Sequence, residues 1–345
     1  MRIRRLTYGI ALILMLGWLL WIGRPILIPV LAALISVYVL SSAAETMRRV
    51  PLLGYLPAWG RRALVLLGFT VAVVLLFVLV LTNLGQVAAA LPRYESNLDL
   101  IVNRVAAMLG IENEPTWETL RRATFDQVDT RALIAPALLS LQGVGSTLFL
   151  VVLYASFFMA ERGMLARKLV IAAGGEENGR RALSLLMRIN DRIGGYLFVK
   201  TTVNVILAVA SYALMLLIGI EFALFWAVLI GFFNYIPYLG SLAGVVAPVL
   251  LALAQFGSLG MAVLVLVALS AAQIVVGAYL EPRMMGRAFN LSPFVVLLSL
   301  AVWSALWGLP GAFLAVPMTA SLVLVLAEVA PTRPIAVMMS ATGRL

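Results

Sequence analysis

Cysteine and histidine are both missing from this 345-residue chain. Without cysteine there are no disulfides and no thiolate chemistry. Without histidine the commonest metal ligand and the usual proton shuttle are gone, and an H-E-x-x-H metalloprotease site is impossible. Charge is scarce as well: 12% of residues are charged against 63% hydrophobic, with a mean hydropathy of +1.07. Lysine is almost absent, Lys168 and Lys200 being the whole complement, so arginine carries the net charge of +10. No G-x-x-x-x-G-K-[ST] loop occurs, so the chain does not read as an ATP motor. Asp191 is the sole aspartate beyond residue 140, which excludes a buried aspartyl pair there. Ser–Lys chemistry would need Lys200 to face Thr201 or Thr202, and adjacent helix positions do not face each other. These absences leave no catalytic centre, no metal and no cofactor, and the chain reads as a non-enzyme.

Apolar segments fill the space that charge leaves. Soluble domains are near half apolar and a quarter charged; this composition needs a bilayer to absorb it. A spanning helix takes about 20 apolar residues. Eight candidate segments fit: 6–23, 25–41, 62–88, 142–160, 196–219, 222–254, 261–281 and 291–328. Backbone groups cannot stay unpaired in lipid, so the segments are expected as helices. The expected fold is therefore an all-α integral membrane protein with about eight membrane segments, organised as three N-terminal spans over 1–88, an extracytoplasmic helical segment over 89–140 and a core over 141–345. Arg2, Arg4 and Arg5 precede the first apolar run, but no small-residue cleavage site follows, so an uncleaved first span is expected.

Arginine placement sets the topology. Arg2, Arg4, Arg5, Arg48, Arg49, Arg61 and Arg62 are expected in the cytoplasm, with the first two segments forming a tight hairpin. The basic residues from Arg162 to Arg192 are expected in a cytoplasmic loop, and both termini on that same side of the membrane. The same bias makes nucleic acid an unneeded partner; the bilayer explains the charge. Within 89–140, Leu98, Ile101, Val102, Val105, Met108 and Leu109 recur at helical spacing, which predicts an amphipathic helix. Ile111 to Pro115 reads as a break and 116–135 as a second helix. Gly143-Val144-Gly145-Ser146 reads as a place for close helix packing.

The last third carries the functional reading. Arg283 and Arg287 belong inside, so 222–254 must begin and end outside. Pro237 and Gly240 sit at its middle, which predicts two half-helices meeting at Asn234-Tyr235-Ile236-Pro237-Tyr238-Leu239-Gly240. The stretch 291–328 should begin and end inside, with its break at Trp307-Gly308-Leu309-Pro310-Gly311. Irregular backbone at membrane depth is tolerated only where protein or a water-filled cavity satisfies it, and transporters use it to bind solute. Two tightly packed Pro-kinked helices are the alternative. Gly240, Gly244 and Pro248 after one break loosely match Gly308, Gly311 and Pro317 around the other.

Polar side chains inside apolar runs mark candidate sites. Arg192, Tyr196, Lys200, Asn204 and Ser211 share a helix face. Lys200 can snorkel to the interface; Asn204 cannot and needs a partner. Gln273, Gly277 and Glu281 share another face, with Glu281 either a site or a solvated end charge paired to Arg283. Glu221 reads as solvated at the outer interface. The candidate solute path is thus Lys200, Asn204, Asn234, Tyr235, Pro237, Tyr238, Gly240, Gln273, Glu281, Arg283, Gly308, Gly311 and Pro317.

Four ordered blocks carry a family likeness: Asn234 to Gly240, then Glu281-Pro282-Arg283-Met284-Met285-Gly286, then Leu291 to Ser299, then Trp307 to Pro317. Together they resemble the autoinducer-2 exporter-like (AI-2E) family of bacterial inner-membrane proteins, over the layout of the whole chain and most specifically over 230–320. The resemblance implies a transporter of a small polar solute such as autoinducer-2. It also implies sodium (lithium)/proton antiport as the alternative, as some relatives are described, and a homo-oligomer, a pentamer by the family pattern. Carried over, Asn234, Pro237 and Gly240 form the first hairpin tip, Pro282, Arg283 and Gly286 the inner loop, and Gly308, Gly311 and Pro317 the second hairpin. Ala247 precedes Pro248 where the family pattern leads one to expect a larger apolar residue. A non-transporting membrane scaffold is the reading of another class.

Overall fold

The computed structural model describes residues 2–49, 55–109, 130–173, 175–285 and 290–343. Among these the regular structure is helical, and the sole β feature is an isolated bridge between Leu291 and Ser340. The elements are α1 Arg2–Ile22, α2 Arg24–Thr46, α3 Ala58–Ala90, α4 Glu95–Leu109, α5 Thr130–Ala172, α6 Glu176–Ile218 and α7 Ala223–Phe233. They continue with α8 Leu239–Phe256, α9 Leu259–Ile274, a π-helical turn Val275–Leu280, α10 Glu281–Met285, α11 Pro293–Trp307, α12 Leu309–Glu328 and α13 Arg333–Met339. The chain is an all-α integral membrane protein. Among the described residues, five helices are long and apolar enough to cross a bilayer, and six spans result if the bent pair α1–α2 counts as one. All eight expected segments are largely helical, with 222–254 and 291–328 each divided by a break.

Each compact unit has its own core. One comprises Met1–Thr70, Ser146–Phe198 and Arg287–Leu345; the other comprises Val71–Gly145 and Val199–Gly286. In the first, Ala33, Val37 and Leu40 of α2 pack on Val151, Ala155 and Met159 of α5. In the second, Val203 and Leu207 of α6, Ala227 and Ile230 of α7, Val245 and Ala252 of α8 and Val265 and Leu269 of α9 share one core. Outside these cores, large apolar side chains such as Leu75, Leu242, Val267 and Leu298 stand exposed. In a bilayer protein such side chains face acyl chains rather than water.

Several expectations change on contact with the structure. α1 and α2 meet at an 83° bend at Gly23, not as a tight antiparallel hairpin. The reason is local: Leu27 N–H still donates to Gly23 O at 2.8 Å, so the helical ladder nearly continues through Gly23, while Pro25 starts a new axis. The basic stretch expected as a cytoplasmic loop is mostly helix, because α5 runs to Ala172 and α6 resumes at Glu176. At 43 residues each, these helices are about 65 Å long, roughly twice the hydrocarbon thickness, so they project beyond it. α4 confirms the amphipathic helix, with Leu98 packed on the second unit's core. The break at 111–115, and the second outer helix up to residue 129, lie outside the described residues. Residues 130–140 form the first turns of α5. An added Cβ at Gly145 would meet no atom within 4 Å, so that glycine makes no close helix contact among the described residues.

Candidate functional site

The second unit holds a broken helical hairpin. α7 ends because Pro237 has no N–H to offer to the carbonyl of Phe233. Ile236 N–H takes that carbonyl instead, at 2.8 Å. The chain then reverses through Tyr238, whose φ of 63° and ψ of −54°, with Leu239 N–H bonded to Pro237 O at 2.7 Å, make a γ-turn of the rare, strained hand. Gly240 follows with no room for a side chain: a Cβ there would lie 1.7 Å from Phe233 O. α8 returns against α7, with Gly244 next to Ile230 and to the Gln273 amide, and with Pro248 fully buried. The break expected at 234–240 is thus present.

One face of α6 lines this hairpin. Lys200, Asn204 and Ser211 are only 4%, 3% and 1% exposed, as their shared helical face anticipates. Asn234 Nδ2 donates to Asn204 Oδ1 at 2.8 Å, which supplies the partner that Asn204 requires. Thr201 Oγ1 and the Tyr235 hydroxyl are 2.6 Å apart. Lys200 does not snorkel; its Nζ donates to Glu281 Oε1 at 2.6 Å. Glu281 is therefore not paired with Arg283. The Arg283 guanidinium stacks 3.3 Å from the centre of the Tyr279 ring, a cation–π arrangement. Asn204 Nδ2 and Gln273 Nε2 are buried with no hydrogen-bond partner. A buried unpaired donor costs about 1–3 kcal/mol, and two such donors beside one hairpin are poised for a ligand with acceptor oxygens.

The structure brings together Lys200, Asn204, Asn234, Tyr235, Pro237, Gly240, Gln273 and Glu281 within this unit. Tyr238 stands at the turn, 58% exposed. Gly286 lies outside the described residues. Gly308, Gly311 and Pro317 belong to the other unit, where α11 breaks at Gly308 (φ 65°, ψ −141°), backbone essentially reserved for glycine. A Cβ at Gly311 would lie 1.9 Å from Trp303 O, the counterpart of the Gly240 contact, and Pro317 is fully buried. Trp303 Nε1 bonds Thr319 Oγ1 at 3.0 Å, and Trp307 Nε1 bonds Leu20 O, in the last turn of α1, at 2.9 Å.

A polar cluster at the base of the first hairpin escaped the sequence. Glu221 is not simply solvated: the Tyr94 hydroxyl donates to its Oε2 at 2.5 Å. Gln255 accepts from Glu221 N–H at 2.9 Å and donates to Gly219 O at 2.7 Å. Asn97 of α4 donates to Ala254 O and Gln255 O, at 3.2 and 2.8 Å, capping the C-terminal end of α8. The only sequence signal was a carboxylate beside an apolar run; its partners are 34 and 127 positions away.

Comparison with known proteins agrees with this architecture. The family model described as AI-2E family transporter matches residues 10–330. The chain is 28% identical over 350 residues to the AI-2 transport protein TqsA of Escherichia coli (strain K12), covering 96% of each chain. It is 29% identical over 332 residues to a Haemophilus influenzae protein whose name assigns it to transport without a substrate, covering 93% of this chain and 92% of that one.

Proposed function

The chain belongs to the AI-2E transporter family, and from that premise we propose that this membrane transporter exports a small neutral polyhydroxylated solute of the autoinducer-2 type along the polar face of α6. The observation that carries the reading is the pair of unpartnered amide donors, Asn204 Nδ2 and Gln273 Nε2, beside the α7–α8 hairpin. Hydroxyl and carbonyl oxygens are the acceptors such donors need. The nearest charges, Lys200 and Glu281, neutralise each other, which suits a neutral solute better than an ion. The name of TqsA, an AI-2 transport protein, supports the same substrate class. In this reading the hairpin α7–α8 re-enters the bacterial inner membrane from outside, both termini are cytoplasmic by the arginine bias, and the protein works as a homo-oligomer.

Sodium (lithium)/proton antiport is the second reading, favoured by the largely buried Glu281 carboxylate. A cation would have to displace the Lys200 ammonium there, which weighs against it. Proteoliposomes containing only this protein decide between the two. Autoinducer-2 flux that falls about ten-fold, the worth of roughly 1.4 kcal/mol, in both Asn204→Leu and Gln273→Leu supports the proposal. Lithium-driven proton movement without autoinducer-2 flux sinks it, and no flux of either kind favours a scaffold.

A further inference from the structure

The span that carries Gln273 and Glu281 is not a continuous α-helix. Val275–Leu280 forms a single π turn, closed by Glu281 N–H bonding Val276 O, five residues back. Such turns are rare, insert one extra residue into a helix, and concentrate at functional sites. An α-helix advances about 100° per residue, so Gln273 and Glu281, eight apart, would stand roughly 80° out of line on a regular helix. With one residue absorbed by the π turn, the rotation is that of seven steps, within about 20° of alignment. The π turn is thus what lets Gln273 reach the hairpin beside Gly244 while Glu281 reaches Lys200.

The surroundings hold this turn to the core only through Val276 and the partly buried Leu280. Val275, Gly277, Ala278 and Tyr279 are exposed, only Val276 is buried, and a Cβ at Gly277 would meet nothing within 4 Å. The Lys200–Glu281 bond is the one hydrogen bond or ion pair between described side chains that ties the helix beyond the turn back to α6. Regaining α-helical bonding would rotate everything beyond the turn by about one residue, near 100°. Glu281 would leave Lys200, and Leu280 would take its angular position.

We propose that Val275–Leu280 is a register switch: its π form makes the Lys200–Glu281 pair, its α form breaks it, and the exchange opens and closes the polar face of α6. The inference deepens the proposed solute path and rests on that reading only for its consequence in transport. Deleting Gly277 removes the extra residue while keeping Gln273 and Glu281 aligned, so the pair persists and the exchange cannot occur.

Hydrogen–deuterium exchange on the full-length protein in lipid nanodiscs tests the switch without any solute. The expected result is that amides of residues 276–281 exchange about ten-fold faster than those of Val263–Leu269, a ratio worth roughly 1.4 kcal/mol. Glu281→Gln should speed them further without touching Val263–Leu269, and the Gly277 deletion should slow them to the rate of the flanking helix. In proteoliposomes the deletion variant should lose autoinducer-2 flux. Exchange at 276–281 as slow as in the flanking helix overturns the proposal, as does a deletion variant with undiminished flux. If the deletion variant does not fold, the exchange rates of the unmodified chain and of Glu281→Gln decide alone. Absence of autoinducer-2 flux from the unmodified protein sinks the substrate assignment and leaves the exchange test standing.

Discussion

Lys200 of α6 and Glu281 at the start of α10 meet at 2.6 Å although 81 positions separate them. Their side chains are 5% and 21% exposed. Removing one partner of such a pair leaves a lone charge in an apolar setting, which costs about 3–5 kcal/mol, whereas replacing both with apolar groups is often close to neutral. Glu281→Leu and Lys200→Met should each lower stability by about that amount, and the double variant should recover most of the loss. Denaturant titration of the four proteins in mixed micelles measures the coupling. Two single losses that simply add in the double variant would show that the pair contributes nothing.

The sequence betrayed the parts of this site that depend on local chemistry. Pro237 and Pro310 lack N–H groups, and Gly240 and Gly311 lack side chains, so the two helix breaks were readable from composition at those points. Lys200 and Asn204 stood out because an ammonium and an amide there interrupt a mostly apolar stretch, 196–218. The partner of Glu281 was not readable: Arg283 is two residues away, but it is drawn instead over the Tyr279 ring. The π turn was hidden because Ile274 to Leu280 is apolar on every side, so an extra residue shifts no hydrophobic pattern. The 83° bend at Gly23 is not legible in the sequence, since Gly-Arg-Pro sets a break and not its angle. Tyr94 and Glu221 lie 127 positions apart, and nothing local in either segment announces the other.

Close approach of backbone to backbone at the two turns makes a paired prediction. A methyl group at position 240 would sit 1.7 Å from Phe233 O, and one at 311 would sit 1.9 Å from Trp303 O. Neither neighbour is a flexible side chain, so the turns must open. Gly240→Ala and Gly311→Ala should each cost about 3 kcal/mol, the upper end for overpacking. Gly68→Ala, where no atom lies within 4 Å, should be neutral or slightly stabilising. Thermal melting of the three purified variants reads the difference directly. A Gly240→Ala protein melting with the unmodified chain would mean that the α7–α8 turn is looser than described.

Tyr238 holds a conformation that L-residues rarely adopt, and it does so at the tip of the proposed path. Strain of this kind costs about 1–3 kcal/mol and persists where surrounding structure or function maintains it. Tyr238→Gly relieves it, so that variant should be more stable by about 1 kcal/mol even after losing the side chain's contacts, since the ring is more than half exposed. If the strain serves solute passage, flux should fall while stability rises. A variant that is both less stable and fully active would show that the tyrosine is held there for packing alone.

The outer polar cluster supplies a pH dependence with a definite sign. Burial, then the hydrogen bond to Glu221 and the charge of that carboxylate, push the Tyr94 phenol from 10.0 up to about 12, with Arg93 pulling the other way. The folded protein therefore favours the neutral phenol more than the unfolded chain does. The resulting stabilisation is complete below pH 10 and is lost as pH rises from about 10 to about 12, because the unfolded tyrosine ionises first. Tyr94→Phe lacks both the bond and the titration. It should be less stable than the unmodified chain by about 1–2 kcal/mol at pH 8, the scale of a hydrogen bond to a charged acceptor in partly solvated surroundings. The gap should close as both proteins are taken through that alkaline window, since the two differ only in the Tyr94 hydroxyl. Parallel melting curves at pH 8, 10 and 11.5 test this; a constant gap would mean that Tyr94 does not hold its proton against Glu221.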